Sequence, residues 1–75
     1  MLNNLGKILD EKNIKHIKTS DFSIEIKSKK YIIEIHEVLS GKYFIKIFDI
    51  NNNLIEKYKY KRISNVINVI KKYNI

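Results

Sequence analysis

Six cations and no acid occupy the stretch from Lys57 to Ile75: Lys57, Lys59, Lys61, Arg62, Lys71 and Lys72. They supply six of the seven net positive charges, and the residues before them balance nine basic against eight acidic groups. Charge gathered at one end of a small chain steers it toward an anionic surface, either nucleic acid or the acidic face of a protein. Just upstream, Phe44, Lys46 and Phe48 fall two residues apart. Cations neutralise phosphates, and aromatic rings stack on bases at about 1–3 kcal/mol per base. A face combining Phe44, Lys46, Phe48, Lys57, Lys59, Lys61 and Arg62 therefore has the chemistry of a partner- or nucleic-acid-binding surface. One arginine among fifteen basic residues argues against base-specific readout, which favours the bidentate guanidinium.

Other chemistries find fewer residues. His16 and His36 have no visible partners, and a metal site needs three or four ligands at coordinating spacing. His36 with Glu34 and Glu37 is a poor set, because an alternating strand sends neighbours to opposite faces. Ser20-Asp21, Ser40 and Ser64 have no histidine at a convincing spacing for a nucleophile–base pair. Gly6 and Gly41 are the only glycines, too few for a phosphate-cradling loop. The chain is expected to be non-enzymatic, with no cofactor and no metal.

The elements that must carry the basic face are read from periodicity. Leu2, Leu5, Ile8 and Leu9 recur at helical spacing and predict an amphipathic helix ending near Lys12, with Asn13 suited to a left-handed cap. Ile14 to Thr19 reads as an extended connector. From Phe22 the period becomes two, giving strands at Phe22–Lys27, Tyr31–Leu39, Tyr43–Ile50 and Leu54–Lys61, with turns at Ser40-Gly41 and Asn51–Asn53. Ile63, Val66, Ile67, Ile70 and Tyr73 predict a closing helix with Ser64 as its N-cap. The fold class is α+β, in the order α-β-β-β-β-α: a four-stranded antiparallel meander with two helices packed on it, in one domain over residues 1–75.

Parity assigns the faces. A two-residue loop at Asn51-Asn52 pairs Ile45 with Tyr58 and Tyr43 with Tyr60, and a loop from Lys27 to Lys30 pairs Ile24 with Ile33 and Phe22 with Ile35. The middle hairpin agrees only with a three-residue loop, Leu39-Ser40-Gly41, with Gly41 in the left-handed region. One face then collects Phe22, Ile24, Ile26, Tyr31, Ile33, Ile35, Tyr43, Ile45, Ile47, Tyr58 and Tyr60 as the core. Glu37 falls on it too, which implies a bulge near Val38 or a place at the sheet rim.

The opposite face sets Lys46 across from Lys57, Phe44 from Lys59, Lys42 from Lys61 and Phe48 from Ile55. It has two readings: a working anion surface, or a solvated lysine edge that blocks aggregation while Phe48, Ile55 and Ile32 form a minor second core. Val69 and Ile75, off the helical stripe, are candidates for an oligomer contact.

Sixteen isoleucines and three phenylalanines must supply the stability of a 75-residue chain that has no cysteine and hence no disulfide. No apolar run reaches the roughly 18 residues of a membrane span, and Met1 to Lys18 is too charged for a signal-peptide core. A cytoplasmic location is the expectation. Ile, Lys and Asn fill more than half of the chain, whereas Ala, Pro, Gln, Trp and Cys are absent. That skew follows AT-rich codons, and codon drift alone can enrich lysine.

In its leading helix, tight meander, short Ser40-Gly41 and Asn51–Asn53 turns, closing helix and AT-rich composition, the chain resembles the very small, cofactor-free proteins of phages and mobile elements, including anti-CRISPR inhibitors. The likeness is one of size, layout and composition. It implies an inhibitor or accessory factor that occupies a surface of a host protein or nucleoprotein complex. Many such inhibitors are acidic and mimic DNA, whereas a chain at +7 would dock on an acidic protein surface or on the nucleic acid of its target complex. The alternative is a basic module that binds nucleic acid directly. Neither reading involves a membrane.

Overall fold

In a computed structural model the described residues run from 3 to 74. Leu2 of the first helical stripe and Ile75 of the suggested oligomer contact lie outside them. Helices α1 (Asn3–Glu11) and α2 (Ile63–Tyr73) bracket five strands: β1 (Ile17–Ser20), β2 (Ser23–Lys27), β3 (Tyr31–Glu37), β4 (Tyr43–Asp49) and β5 (Leu54–Tyr60). The strands form one antiparallel sheet whose spatial order is the chain order.

Five strands correct the expected four. The stretch read as a connector holds β1, with Ile17 opposite Glu25 and Lys18 opposite Ile24. All four of its residues are exposed, so backbone pairing makes this strand and no apolar alternation marks it.

The core lies on the predicted face. Ile24, Ile26, Ile33, Ile35, Tyr43, Ile45 and Ile47 of the sheet pack with Leu5 and Leu9 of α1 and with Val66, Ile67, Val69, Ile70 and Tyr73 of α2. Each fully buried Ile or Leu contributes about 1.5–3 kcal/mol relative to an exposed one. Val69 is thus a core residue, which removes it as an oligomer contact. Phe22 leaves the core face: it sits in the β1–β2 turn, 42% exposed, where its carbonyl accepts the Glu37 N–H at 2.8 Å. Glu37 ends β3 opposite Tyr43, at the rim and without a bulge. Its Oε1 is buried with no hydrogen-bond partner. Burial first, and then the Glu37 charge, pushes the Tyr43 hydroxyl pKa up.

The turns explain where the predicted register holds. Between β3 and β4, Gly41 adopts φ 81°, its N–H donates to Val38 O at 2.9 Å, and Val38 N–H donates to Lys42 O at 2.9 Å. That is the three-residue loop parity requires, and it pairs Ile35 with Ile45. Between β2 and β3, Ser28 N–H donates to Tyr31 O at 2.8 Å, which slides the register by two residues. Ile24 therefore faces Ile35, and Ile26 faces Ile33. A two-residue slip keeps every side chain on its face.

Between β4 and β5 the loop has three residues where two were expected, because Asp49 N–H donates to Asn53 O at 2.9 Å and Asn52 takes φ 66°. Ile55 absorbs the extra residue. Phe48 faces Leu54 instead of Ile55, while Ile47 faces Glu56 and Ile45 faces Tyr58. The Asp49 carboxylate accepts the N–H groups of Asn51 and Asn53 at 2.9 Å each, and hydrogen bonds from Asn53 above all hold its pKa below the usual value.

Helix α1 stops as expected: Asn13 takes φ 58°, Ile14 N–H donates to Leu9 O at 2.9 Å and Asn13 N–H to Asp10 O at 3.0 Å. Helix α2 departs from expectation. Ser64 lies inside it, and Arg62 occupies the N-cap with no side-chain cap bond. Lys71 and Lys72 in its last turn complement the negative end of the helix dipole.

Two predictions follow from this packing. Ile45 is 1% exposed in a strand with neighbours on both sides. Ile45→Asp buries an unpaired charge and should unfold a domain with roughly 4–11 kcal/mol to spare, whereas Phe44→Asp on the other face should still melt cooperatively by circular dichroism. The Tyr58 hydroxyl lies 3.3 Å from that of Tyr73, and this hydrogen bond, followed by burial, raises the Tyr58 pKa from 10.0 to about 12. The folded state thus holds that proton more tightly than the unfolded chain. The associated stability is fully present below pH 10 and is lost as pH rises toward 12. Tyr58→Phe should flatten that alkaline loss in denaturant titrations.

Candidate functional site

Both helices pack on the core face, so among the described residues no helix lies over the other face of the sheet. Cross-strand partners share a face, so the register prints that surface as three rows running from β2 to β5. The middle row is Glu25, Glu34, Lys46, Lys57. On one side of it lies Ser23, His36, Phe44, Lys59, and on the other Lys27, Ile32, Phe48, Leu54. Five of the seven sequence-predicted residues, Phe44, Lys46, Phe48, Lys57 and Lys59, therefore stand together. Lys61 and Arg62 form the exposed joint between β5 and α2, just past the end of the face. Lys42 precedes β4 and has no strand partner at Lys61.

Charge divides the middle row, with Glu25 and Glu34 in the β2–β3 half and Lys46 and Lys57 in the β4–β5 half. Lys59 adds to the basic half, while Lys27 stands beside Glu25 in the other and pairs with it at 3.6 Å. Lys46 sits directly opposite Lys57, a destabilising placement for like charges. Glu34, the acid on the other flank of Lys46, is engaged elsewhere: its Oε1 lies 2.6 Å from His36 Nε2. Among the described residues Lys46, Lys57 and Lys59 form no ion pair. Phe44 is 39% exposed, and Lys59 Nζ lies 5.8 Å from its ring centroid. At that distance the cation meets the ring's quadrupole, so Phe44 and Lys59 present one joint aromatic and cationic surface. Phe48 and Ile32 are half-buried beside each other and do not form a separate core.

The expectation that His36 lacks partners is overturned. Ser20 Oγ donates to Ser23 Oγ at 2.9 Å, Ser23 Oγ lies 2.9 Å from His36 Nδ1, and His36 Nε2 reaches Glu34. With the Glu34 carboxylate accepting from Nε2–H, Nδ1 accepts the Ser23 hydroxyl proton. The Glu34 and His36 positions were visible in the alternation, but the serine was not. Ser23 meets His36 only because the β2–β3 register slides by two, and Ser23 itself is buried at 8% exposure. The ladder satisfies its own polar groups across three strands and holds Glu34 away from Lys46.

A second concavity, a cleft of about 500 Å³, lies between α1 and the β1 edge, lined by Asn4, Gly6, Lys7, Asp10, His16, Lys18 and Ile24. His16 turns one nitrogen to Ile14 O at 3.0 Å and holds the other 3.8 Å from Asp10 Oδ1. Among the described residues no helix is long and apolar enough to cross a membrane.

No protein-family model matches the chain, and neither a curated protein nor a solved structure shows significant similarity to it.

Proposed function

We propose that this chain is a non-enzymatic binding protein that acts by occupying a surface: the β4–β5 half of its open face docks on an acidic protein or nucleoprotein, as an inhibitor or accessory factor of the phage or mobile-element kind. One observation carries the reading. Phe44, Lys46, Phe48, Lys57 and Lys59 share a face, and among the described residues no helix lies over it and the three lysines have no internal ion pair to break on docking. Free cations contribute to association without first losing a partner, and a flanked aromatic ring supplies the anchor that such interfaces use. The carboxylates of Glu25 and Glu34 on the same face favour a protein surface of mixed charge over a bare polyanion, whose phosphates they would repel. The function asks for no cofactor.

A second reading, direct binding of single-stranded nucleic acid, is favoured by Phe44 with Lys59 over its ring, a ring and cation placed together as a stacking platform needs.

Capture from lysate with and without nuclease separates the two. For protein docking, reversing Lys57, Lys59 and Lys61 to Glu should slow association about tenfold or more and leave the melting temperature nearly unchanged, while Phe44→Ala should raise the dissociation rate. An unchanged association rate at physiological salt would move the interface off the basic face. For nucleic acid, three or four phosphate contacts give a slope of roughly −2 to −3 in log affinity against log salt, at about −0.7 per contact on single strands. Undetectable binding to DNA and RNA at low salt would remove the second reading.

A further inference from the structure

The middle row of the open face, Glu25, Glu34, Lys46, Lys57, carries two acids followed by two bases. Turned end for end, that row is its own electrostatic complement. We infer that the open face binds a second copy of this chain, with the two sheets stacked about a two-fold axis that runs parallel to the strands over the seam between β3 and β4.

The register tests each arrangement of the axis. With the axis along that seam, each row lies over its own reversed copy. Glu34 then faces Lys46 of the second copy, and Glu25 faces Lys57, with both contacts doubled by the symmetry. In the flanking rows, Ile32 meets Phe48 and His36 meets Phe44, each half-buried or partly exposed in the single chain. Moving the axis to the middle of β3 sets Glu34 over Glu34. Laying it across the strands through the same seam returns each strand to itself, so Glu34 again meets Glu34 and Lys46 meets Lys46. Only the seam parallel to the strands sets both acids of the middle row over bases; at the outer ends of the flanking rows Lys59 meets Ser23 and Lys27 meets Leu54.

Sheets stacked face to face cross at about −30°, so register is kept best at the centre of the contact, where the axis crosses the charged row between Glu34 and Lys46. The absence of internal partners for the lysines supports the same partner. Among the described residues Lys46 and Lys57 have no acid within bonding reach, and the acids that would match them, Glu34 and Glu25, sit one and three strands away on the same face. Neighbouring strands are ~4.8 Å apart and same-face residues ~7 Å apart, so four strands and three rows cover about 20 by 20 Å. Two such faces bury roughly 800 Å² in total, just under the ~1,000 Å² that a stable specific interface clears. The dimer is therefore reversible and concentration-dependent. It covers the lysines assigned above to docking, so a partner that takes this face draws on free monomer. The inference needs no partner and stands apart from that reading.

Sedimentation equilibrium of the full chain, without partner or nucleic acid, from low micromolar to near-millimolar concentration tests it. The wild type should pass from monomer to dimer, and the dimer should weaken with added salt. E34K and K46E should each weaken self-association about tenfold or more, because each sets like charges face to face. Mixed in equal amounts, E34K and K46E should form a heterodimer, since each then supplies what the other lacks. Glu34 and Lys46 are also neighbours within one sheet, but a loss inside the chain is not repaired by adding a second protein. If either variant fails to fold by circular dichroism, the same mixing with E25K and K57E reads the outer pair. A wild type that stays monomeric throughout, variants that dimerise like the parent, or a mixture that stays monomeric would overturn the inference. None of these outcomes bears on docking, which is read with the partner present.

Discussion

The register of β4 between β3 and β5 is the constraint on which this molecule depends. Ile45 is the clearest case: Ile35 on one side and Tyr58 on the other fix it toward the helices. A slip of one residue would turn Ile45 and Ile47 to solvent and bring Phe44, Lys46 and Phe48 under α2. The devices that prevent this are local. Gly41 accepts the left-handed backbone that a three-residue loop needs. At the other end, the Asp49 carboxylate collects the N–H groups of the Asn51–Asn53 turn, and Ile55 bulges out to absorb the residue the longer loop adds. Core face and basic face are two outcomes of the same alternation, held by two turns.

Much of this was legible in the sequence because alternation survives errors of register. The β2–β3 hairpin slides by two residues and the β4–β5 loop gains one, yet Ile24, Ile33, Ile45 and Tyr58 remain on the predicted face, since one change is even and a bulge cancels the other. The helices were legible from Leu5, Ile8 and Leu9 and from Val66, Ile67 and Ile70, and the end of α1 from Asn13. What escaped did so for physical reasons. β1 is held by backbone hydrogen bonds at a sheet edge and buries nothing, so Ile17–Ser20 has no apolar signature to read. Phe22 has the hydrophobicity of a core residue but falls in a turn. Val69 sits off the narrow helical stripe, yet is buried because α2 crosses β3, β4 and β5 and so packs over a wider arc.

The open face shows the same division. Its cations and rings were visible from residue type and spacing, and five of seven came together as parity required. The acids on that face acquire meaning only from the sheet order, which lines Glu25 and Glu34 up with Lys46 and Lys57. The serine ladder depends on a register that no local pattern encodes. Ser23 and His36 become neighbours because Ser28 closes the β2–β3 turn on Tyr31. Composition reports that the chain is basic; topology makes one of its faces bipolar.

Chain order and strand order coincide throughout the sheet, and that bears on how the molecule assembles. Each hairpin closes a short loop, so the entropic cost of each new strand is small and the sheet can grow strand by strand from its turns. The helices are different. Each comes from one end of the chain, and the core face of the sheet is not dry until they arrive. The Ser28 hydroxyl, which donates to Tyr31 O at 3.1 Å and also contacts Tyr73 O at 3.0 Å, ties the β2–β3 hairpin to the last turn of α2 across 45 residues. That bond joins a short-range turn to the far end of the chain, so the last helix seals the core against a hairpin that needs only a short stretch of chain to form.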